Sequence, residues 1–303
     1  MYLAHFGLRE APFGLTPDTS FAFASERYRS VLETLRVAVG TGEGFIKITG
    51  EVGTGKTLAC RSFMKSLDER FVLAYLPNPM LSPRALVRAV ALELEAMAIT
   101  APDDEYFVNR AVSLRLLGIA RQGKRALLCI DEAQAMPLET LEALRLLTNL
   151  ETEKQKLLQI VLFGQPELDR KLEDAAIRQL AQRITFQDSL HALDRAEVGY
   201  YLAHRLSVAG YASGPLFAPA AVRALHHASG GIPRLINILA HKALLAAYGE
   251  GARQVGARHL RRAVADTPAA RPLPRWRALL PAAALCGLAA TGVVVGRLQG
   301  WLA

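Results

Sequence analysis

Cysteine is scarce in this chain: Cys60, Cys129 and Cys286 are the three present, and they stand far apart. That spacing offers neither a disulfide framework nor a zinc site, and it fits a reducing compartment. Acidic residues are missing from Arg271 onward, where Arg271, Arg275, Arg277 and Arg297 have no counter-charge. Without that stretch the formal charge of +8 falls to +4, from 32 basic and 28 acidic side chains. So thin an excess excludes a strong nucleic-acid footprint. The start, MYLAHFGLREAP, lacks the basic residues and apolar core of a signal peptide. What remains is a globular balance, 51% apolar and 21% charged, in 303 residues. That length suffices for two domains or one large one.

Residues 1–24 are rich in aromatics and prolines and read as an irregular N-terminal linker. Ser25 is suited to cap a helix to about Val39. Apolar strand patterns follow at Phe45–Thr49, Phe71–Leu76, Ala126–Ile130, Leu157–Phe163 and, briefly, Ile184–Phe186. Helical patterns lie between them at about 56–68, 82–97, 105–121 and 137–149. This alternation predicts an α/β domain over 25–192, a mainly parallel sheet with helices on both faces. From 193 to 266 the pattern is helical only, near 194–209, 218–228, 232–248 and 256–265, and predicts a small helical lid.

Thr267–Pro274, TPAARPLP, opens a proline-bearing linker over 267–277. Ala278 to Gly296 then gives nineteen residues without a charge. As a helix that run spans about 28 Å, close to the roughly 30 Å of a bilayer's hydrocarbon core. Trp276 and Trp301 flank it as interfacial anchors would. The arginines are concentrated on its N-terminal side, so a single C-terminal transmembrane helix with a cytoplasmic N-terminal part is expected. A buried or Ala-rich surface helix is the other reading. Gly292 and Gly296 have GxxxG spacing, which lets two spans approach closely.

Gly50-Glu51-Val52-Gly53-Thr54-Gly55-Lys56-Thr57 fits the phosphate-loop pattern G-x-x-x-x-G-K-[ST]. Phosphate oxygens must meet backbone N–H groups, and glycines let the chain curl without a Cβ in the way. The helix starting at Lys56 aims its positive end at the same anion. Lys56 is expected to reach the β- and γ-phosphates of ATP, and the Thr57 hydroxyl to take a Mg²⁺ position. An apolar run ending in Asp131-Glu132 supplies two carboxylates where a parallel strand meets its ligand crevice. Asp131 suits the metal, held through water, and Glu132 the attacking water. Their other reading is an acidic helix start.

Gln165 is the first polar side chain past Leu157–Phe163; it suits the water or the γ-phosphate, or else is a turn residue. Arg183, rather than Arg178, precedes the last strand at the domain's edge. From there it could neutralise charge on a neighbour's γ-phosphate. Arg234, in Gly230-Gly231-Ile232-Pro233-Arg234, opens a lid helix. A lid folded back over the nucleotide would bring it to the γ-phosphate of its own subunit.

These residues together resemble the P-loop AAA+ ATPases. More narrowly, His5-Phe-Gly-Leu8, Pro12-Phe13, Leu15-Thr-Pro-Asp18, Gly44-Phe-Ile-Lys47 and the stretches GQPEL, QRI, HRLSVAG and GIPRLIN resemble the ExeA/GspA secretion ATPases. They are most similar to the MshM type, which serves the mannose-sensitive haemagglutinin pilus. The resemblance covers about residues 1–265. It implies ATP hydrolysis in a ring or other homo-oligomer at the bacterial inner membrane, the ATPase part cytoplasmic and a short C-terminus periplasmic. It also implies partners among the inner-membrane proteins that assemble a type IV pilus or a type II secretion machine. ExeA-type chains continue past the membrane into a peptidoglycan-binding part, whereas only Arg297–Ala303 follow here, so wall contact is expected to come from a partner. A DNA-binding helper ATPase, of transposition or replication-initiation type, is the competing expectation, and an ATP-bound scaffold a third. No extra DNA-binding domain is visible in the sequence.

Overall fold

The computed structural model describes residues 2–101, 104–151 and 156–274. Five strands form one all-parallel sheet in the order β2-β3-β4-β1-β5. They are β1 (Phe45–Gly50), β2 (Phe71–Leu76), β3 (Arg125–Ile130), β4 (Leu158–Gly164) and β5 (Ile184–Leu190). Strands β3 and β4 lie inside the sheet and are apolar, as strands covered on both faces must be, apart from the exposed Arg125 that opens β3 and the buried Gln159 in β4, whose amide donates to the Val39 and Glu43 carbonyls.

One face carries α2 (Glu26–Thr41) and α3 (Lys56–Lys65), where Leu35, Ile46, Phe63, Leu127 and Phe163 pack together. Ser25 accepts from the Tyr28 N–H and starts α2, and Gly42, at φ +88°, ends it. The other face carries α4 (Pro83–Glu93), α5 (Glu105–Arg121) and α6 (Leu138–Leu147), with Leu86, Val112, Leu116, Leu128 and Ile160 between. Two short helices, α7 (Glu167–Leu172) and α8 (Arg178–Ala181), lie between β4 and β5.

A separate apolar core belongs to α9 (Arg195–Val208), α10 (Pro219–Ser229), α11 (Pro233–Gly249) and α12 (Ala257–Ala265). The N-terminal segment joins this core. It holds α1 (Tyr2–Phe6) and a 3-10 turn at Thr19–Phe21, and it buries Phe6, Leu8, Phe13 and Phe21 among the four helices. The expectation of an irregular linker over 1–24 is corrected accordingly. Its apolar residues have no local period because their partners lie some two hundred positions away.

Three further differences have physical causes. Strand β5 runs to Leu190, because Asp188 is paired with Arg27 (2.5 Å) and bonded by Thr34 (3.1 Å), which lets a polar residue stay in a strand. Helix α4 stops at Glu93, just before Glu95 turns left-handed at φ +55°. Thr267–Pro274, read as a linker, lies against the helical unit. The Thr267 hydroxyl donates to the Ala263 carbonyl (2.7 Å), the Arg271 N–H donates to the Ala228 carbonyl (2.9 Å), and Leu273 packs on the helical core. The expected span at 278–296 lies outside the described residues. Among the described residues, no helix is long and apolar enough to cross a membrane.

Candidate nucleotide site

Strand β1 delivers the chain into the loop Glu51–Gly55, and α3 begins at Lys56. The turn requires left-handed backbone at Gly53 (φ +82°) and Gly55 (φ +103°), which glycine adopts freely. The Thr54 hydroxyl donates to the Glu51 carbonyl (2.8 Å) and braces the loop. Lys56 is buried and donates to the carbonyls of Gly50 (2.8 Å) and Glu51 (3.1 Å). Burial holds its ammonium below the usual lysine value, opposed by the nearby carboxylates of Glu132 and Asp131. Such an ammonium, bonded to neutral carbonyls, is suited to an anionic partner.

One residue on, the Thr57 hydroxyl donates to Asp131 Oδ2 at 2.6 Å. Asp131 leaves the end of β3 and is buried. Burial raises its carboxyl above the ordinary range, only partly offset by the Thr57 hydroxyl and the Glu132 N–H. A hydroxyl and a carboxylate in contact form a hard oxygen pair of the kind Mg²⁺ takes.

Glu132 sits at φ +53°, a left-handed conformation uncommon for a residue with a Cβ. Its Oε2 accepts from Gln134 Nε2 (2.6 Å) and Gln165 Nε2 (3.1 Å). Gln134 Oε1 in turn accepts the Gln165 N–H (3.0 Å), so one side chain ties the ends of β3 and β4 together. Gln134 was not singled out from the sequence, where its position two residues past Asp131-Glu132 was the available signal.

The helical unit closes over this loop. The Arg234 N–H donates to the Gly53 carbonyl (3.1 Å), and a Cβ on Gly53 would lie 2.7 Å from the Arg234 Cβ. A cleft of about 320 Å³ opens between the two units, with Val52, Gly53, Gly55, Lys56, Thr57, Glu132, Gln165 and Arg234 among its lining. Of its remaining wall, the sequence offered residues 1–24 as a lining without a particular contact and did not point to Tyr201, Arg205 or Asn237. Residues 14–18 of the N-terminal segment line it as well, together with Tyr201, Arg205 and Asn237. Arg205 is buried and donates to the Pro12 carbonyl (2.5 Å), while Asn237 donates to the Gly14 carbonyl (3.3 Å). An arginine on the apolar stripe of α9, with Val198, Tyr201, Leu202 and Leu206, was the legible hint.

Lys56, Thr57, Asp131, Glu132, Gln165 and Arg234 are therefore gathered at one place, and Arg183 is not among them. It precedes β5, whereas the loop follows β1, and the two strands are parallel. The seven residues of β5 put about 23 Å between those ends. Arg183 instead donates to Thr148 Oγ1 (3.0 Å) and the Arg145 carbonyl (3.3 Å) at the end of α6.

Residues 39–172 match a family described as AAA domain. General secretion pathway protein A of Aeromonas hydrophila is 40% identical over 297 residues, 96% of this chain and 53% of that protein. The chain thus spans about half the length of this curated relative. Among solved structures, Aeropyrum pernix ORC2 in its ADPNP–ADP complexes superposes with a TM-score of 0.62 at 15% identity, covering 85% of this chain and 73% of that one. Pyrobaculum aerophilum Cdc6p gives 0.60 at 17%, covering 81% and 70%. The Thermotoga maritima RuvB Holliday junction branch migration motor gives 0.54 at 15%, covering 82% and 73%. At such identities these three carry the fold alone: a P-loop AAA+ sheet with a helical unit behind it.

Proposed function

We propose that this chain, 40% identical to General secretion pathway protein A and matching an AAA domain over residues 39–172, is a membrane-anchored ATPase of the AAA kind that assists an envelope machine. The machine is a type II secretion system or a type IV pilus of the haemagglutinin kind, at a bacterial inner membrane. The observation that carries the ATPase reading is the meeting of three pairs at one cleft: Lys56 with the loop, Thr57 with Asp131, and Glu132 with Gln165. The secretion reading is supported by the relative's name and the 40% identity.

In this reading the α/β unit is 25–192, the lid 193–266, and the span 278–296 follows the linker 267–277. Gly50–Gly55 present backbone N–H groups to the phosphates, and Lys56 supplies the positive charge between them. Thr57 and Asp131 hold Mg²⁺, which when bound neutralises phosphate charge. Glu132, fixed by two amide donors, orients water and accepts its proton, and Gln165 keeps that carboxylate aimed. Arg234 sits on the loop from the lid side, where it senses the γ-phosphate. Arg183 stands too far from its own loop for that work and serves a neighbouring copy in a ring or other homo-oligomer.

The test is the ATPase rate of the full-length, detergent-solubilised chain as its concentration rises. Turnover per chain is expected to climb with association. Glu132→Gln should keep nucleotide binding and lose about 100-fold in turnover, and Arg183→Ala should abolish the climb. A rate indifferent to Glu132→Gln sinks the hydrolytic reading; a climb that survives Arg183→Ala removes that residue from it.

A further inference from the structure

The fold divides the charge unevenly. Residues 1–192 carry 23 basic against 24 acidic side chains, residues 193–274 carry 10 against 4, and residues 275–303 carry 3 against none. The α/β body is thus nearly neutral, and the excess lies on the helical unit and the segment beyond it.

Helix α12 concentrates that excess on one side. Arg258, Arg261, Arg262 and Ala265 are exposed and recur at i, i+3, i+4 and i+7, while His259, Leu260 and Ala263 fill the buried side. Glu250 is bonded by Arg258 and Arg262, so one acid serves two arginines. Arg261 meets no acid among the described residues.

The path of the chain limits how far the helical unit can lie from the uncharged run. Past α12, Thr267–Leu273 is fastened to the helical unit, so Pro274 is held beside that unit. Only four residues carry the chain on to Ala278, where the nineteen uncharged residues begin. Fully extended, four residues reach about 14 Å at most. A span at 278–296 would therefore hold the helical unit against the bilayer surface, with Arg275 and Arg277 in the short gap.

We propose that the Arg258–Arg261–Arg262 face of α12 docks the helical unit on anionic lipid headgroups. The inference rests on reading 278–296 as a membrane span. Both lipid headgroups and nucleic acid are anionic, so charge alone suits either, and it is the short tether that favours lipid. Docking fixes the helical unit, so rearrangement where Arg234 meets Gly53 swings the α/β body relative to the membrane.

The test uses the full chain in phospholipid vesicles, in a Cys286→Ser background, with a fluorophore on Ala265→Cys and an energy acceptor on lipid. Energy transfer should rise when neutral phosphatidylcholine is replaced by a mixture with about 30% phosphatidylglycerol. It should fall again near 0.5 M salt, where screening acts within a few Å. Arg261→Gln should shift the docked-to-undocked ratio about fivefold, and the triple Arg258→Gln, Arg261→Gln, Arg262→Gln variant should return it to the neutral-lipid level. Unchanged nucleotide affinity shows that the variants are folded. Transfer indifferent to lipid charge, in a chain that resists alkaline extraction, overturns docking and leaves the span standing. Salt-dependent retention on duplex DNA that disappears in the triple variant overturns it in favour of nucleic acid. Alkaline release of the intact chain removes the span itself, and docking with it.

Discussion

Replacing Arg205 by Met tests whether the N-terminal segment is a working wall of the cleft. The substitution keeps an unbranched apolar stem and removes the guanidinium, whose Nε donates to the Pro12 carbonyl at 2.5 Å. It also removes the cation lying 4.8 Å from the centre of the Phe21 ring. A hydrogen bond from a charged donor contributes about 1.5–3 kcal/mol, and a desolvated cation over an aromatic face about 1–2 kcal/mol. The Gly14 contact at 3.5 Å adds little, and Asn237 still bonds that carbonyl. Against these losses stands the cost of burying the cation, which Met does not incur. A net weakening of about 2–3 kcal/mol follows, or roughly 30- to 150-fold in how often the segment lifts away. Phe6, Leu8, Phe13 and Phe21 keep it from detaching outright. Amide hydrogen exchange should therefore accelerate at Arg9, Phe21 and Ala22, whose N–H groups donate to the carbonyls of Ala209, Asp18 and Thr19, while the helical core stays protected. Nucleotide affinity, measured by titration, should fall in proportion to the share of chains in which the segment has lifted, although no phosphate-loop residue has changed. Affinity that does not follow that share, as exchange reports it, would show that the segment is not part of the binding wall. Unchanged exchange would refute the energetic reasoning itself.

Gly53→Ala should cost more than Gly55→Ala. Both positions are left-handed, a strain of about 1–2 kcal/mol for an L residue, but the new Cβ at 53 meets Arg234 whereas at 55 nothing lies within 4 Å. Urea midpoints of the two variants, with nucleotide titrations, separate strain from the lid contact; equal losses would place the lid farther from the loop than described. Asp131→Asn should raise the thermal midpoint of the nucleotide-free chain at neutral pH and remove its response to Mg²⁺. Burial raises this carboxyl's folded pKa, so between the ordinary value and the raised one the folded state binds the extra proton. Stability from Asp131 is accordingly present at low pH and lost as pH rises through the folded pKa, and the variant should lack that component of the pH–stability curve. A midpoint that drops instead would mean the Thr57 bond outweighs burial. Gln134→Ala should leave nucleotide affinity intact and cut turnover about tenfold, because Glu132 loses a 2.6 Å donor. Loss of affinity with turnover preserved would assign Gln134 to binding.

What the sequence could disclose depended on how local each signal is. Phosphate-loop spacing, the apolar runs of β3 and β4 and the Ser25 cap are each written within a few residues, and they appear where expected. Gathering Asp131, Glu132 and Gln165 needed only the rule that parallel strands end at one crevice. The N-terminal segment carries no such local rule. Pro12 and Gly14 are held by Arg205 and Asn237, partners 193 and 223 residues away, and nothing in the spacing of MYLAHFGLREAPFGLTPDTS announces them. Thr267–Leu273 misled for the opposite reason, since prolines mark a break in helix whether or not the chain is then fastened down. If 278–296 is the proposed span, that fastening leaves a tether too short to let the helical unit wander. A permissive spacer in place of Pro274–Arg277, such as twenty added Gly/Ser residues, should therefore leave basal ATP turnover intact while abolishing the lipid dependence of energy transfer from Ala265→Cys. Persistence of that dependence across the long spacer would mean that α12 finds the headgroups by its own charge and that the short tether is incidental.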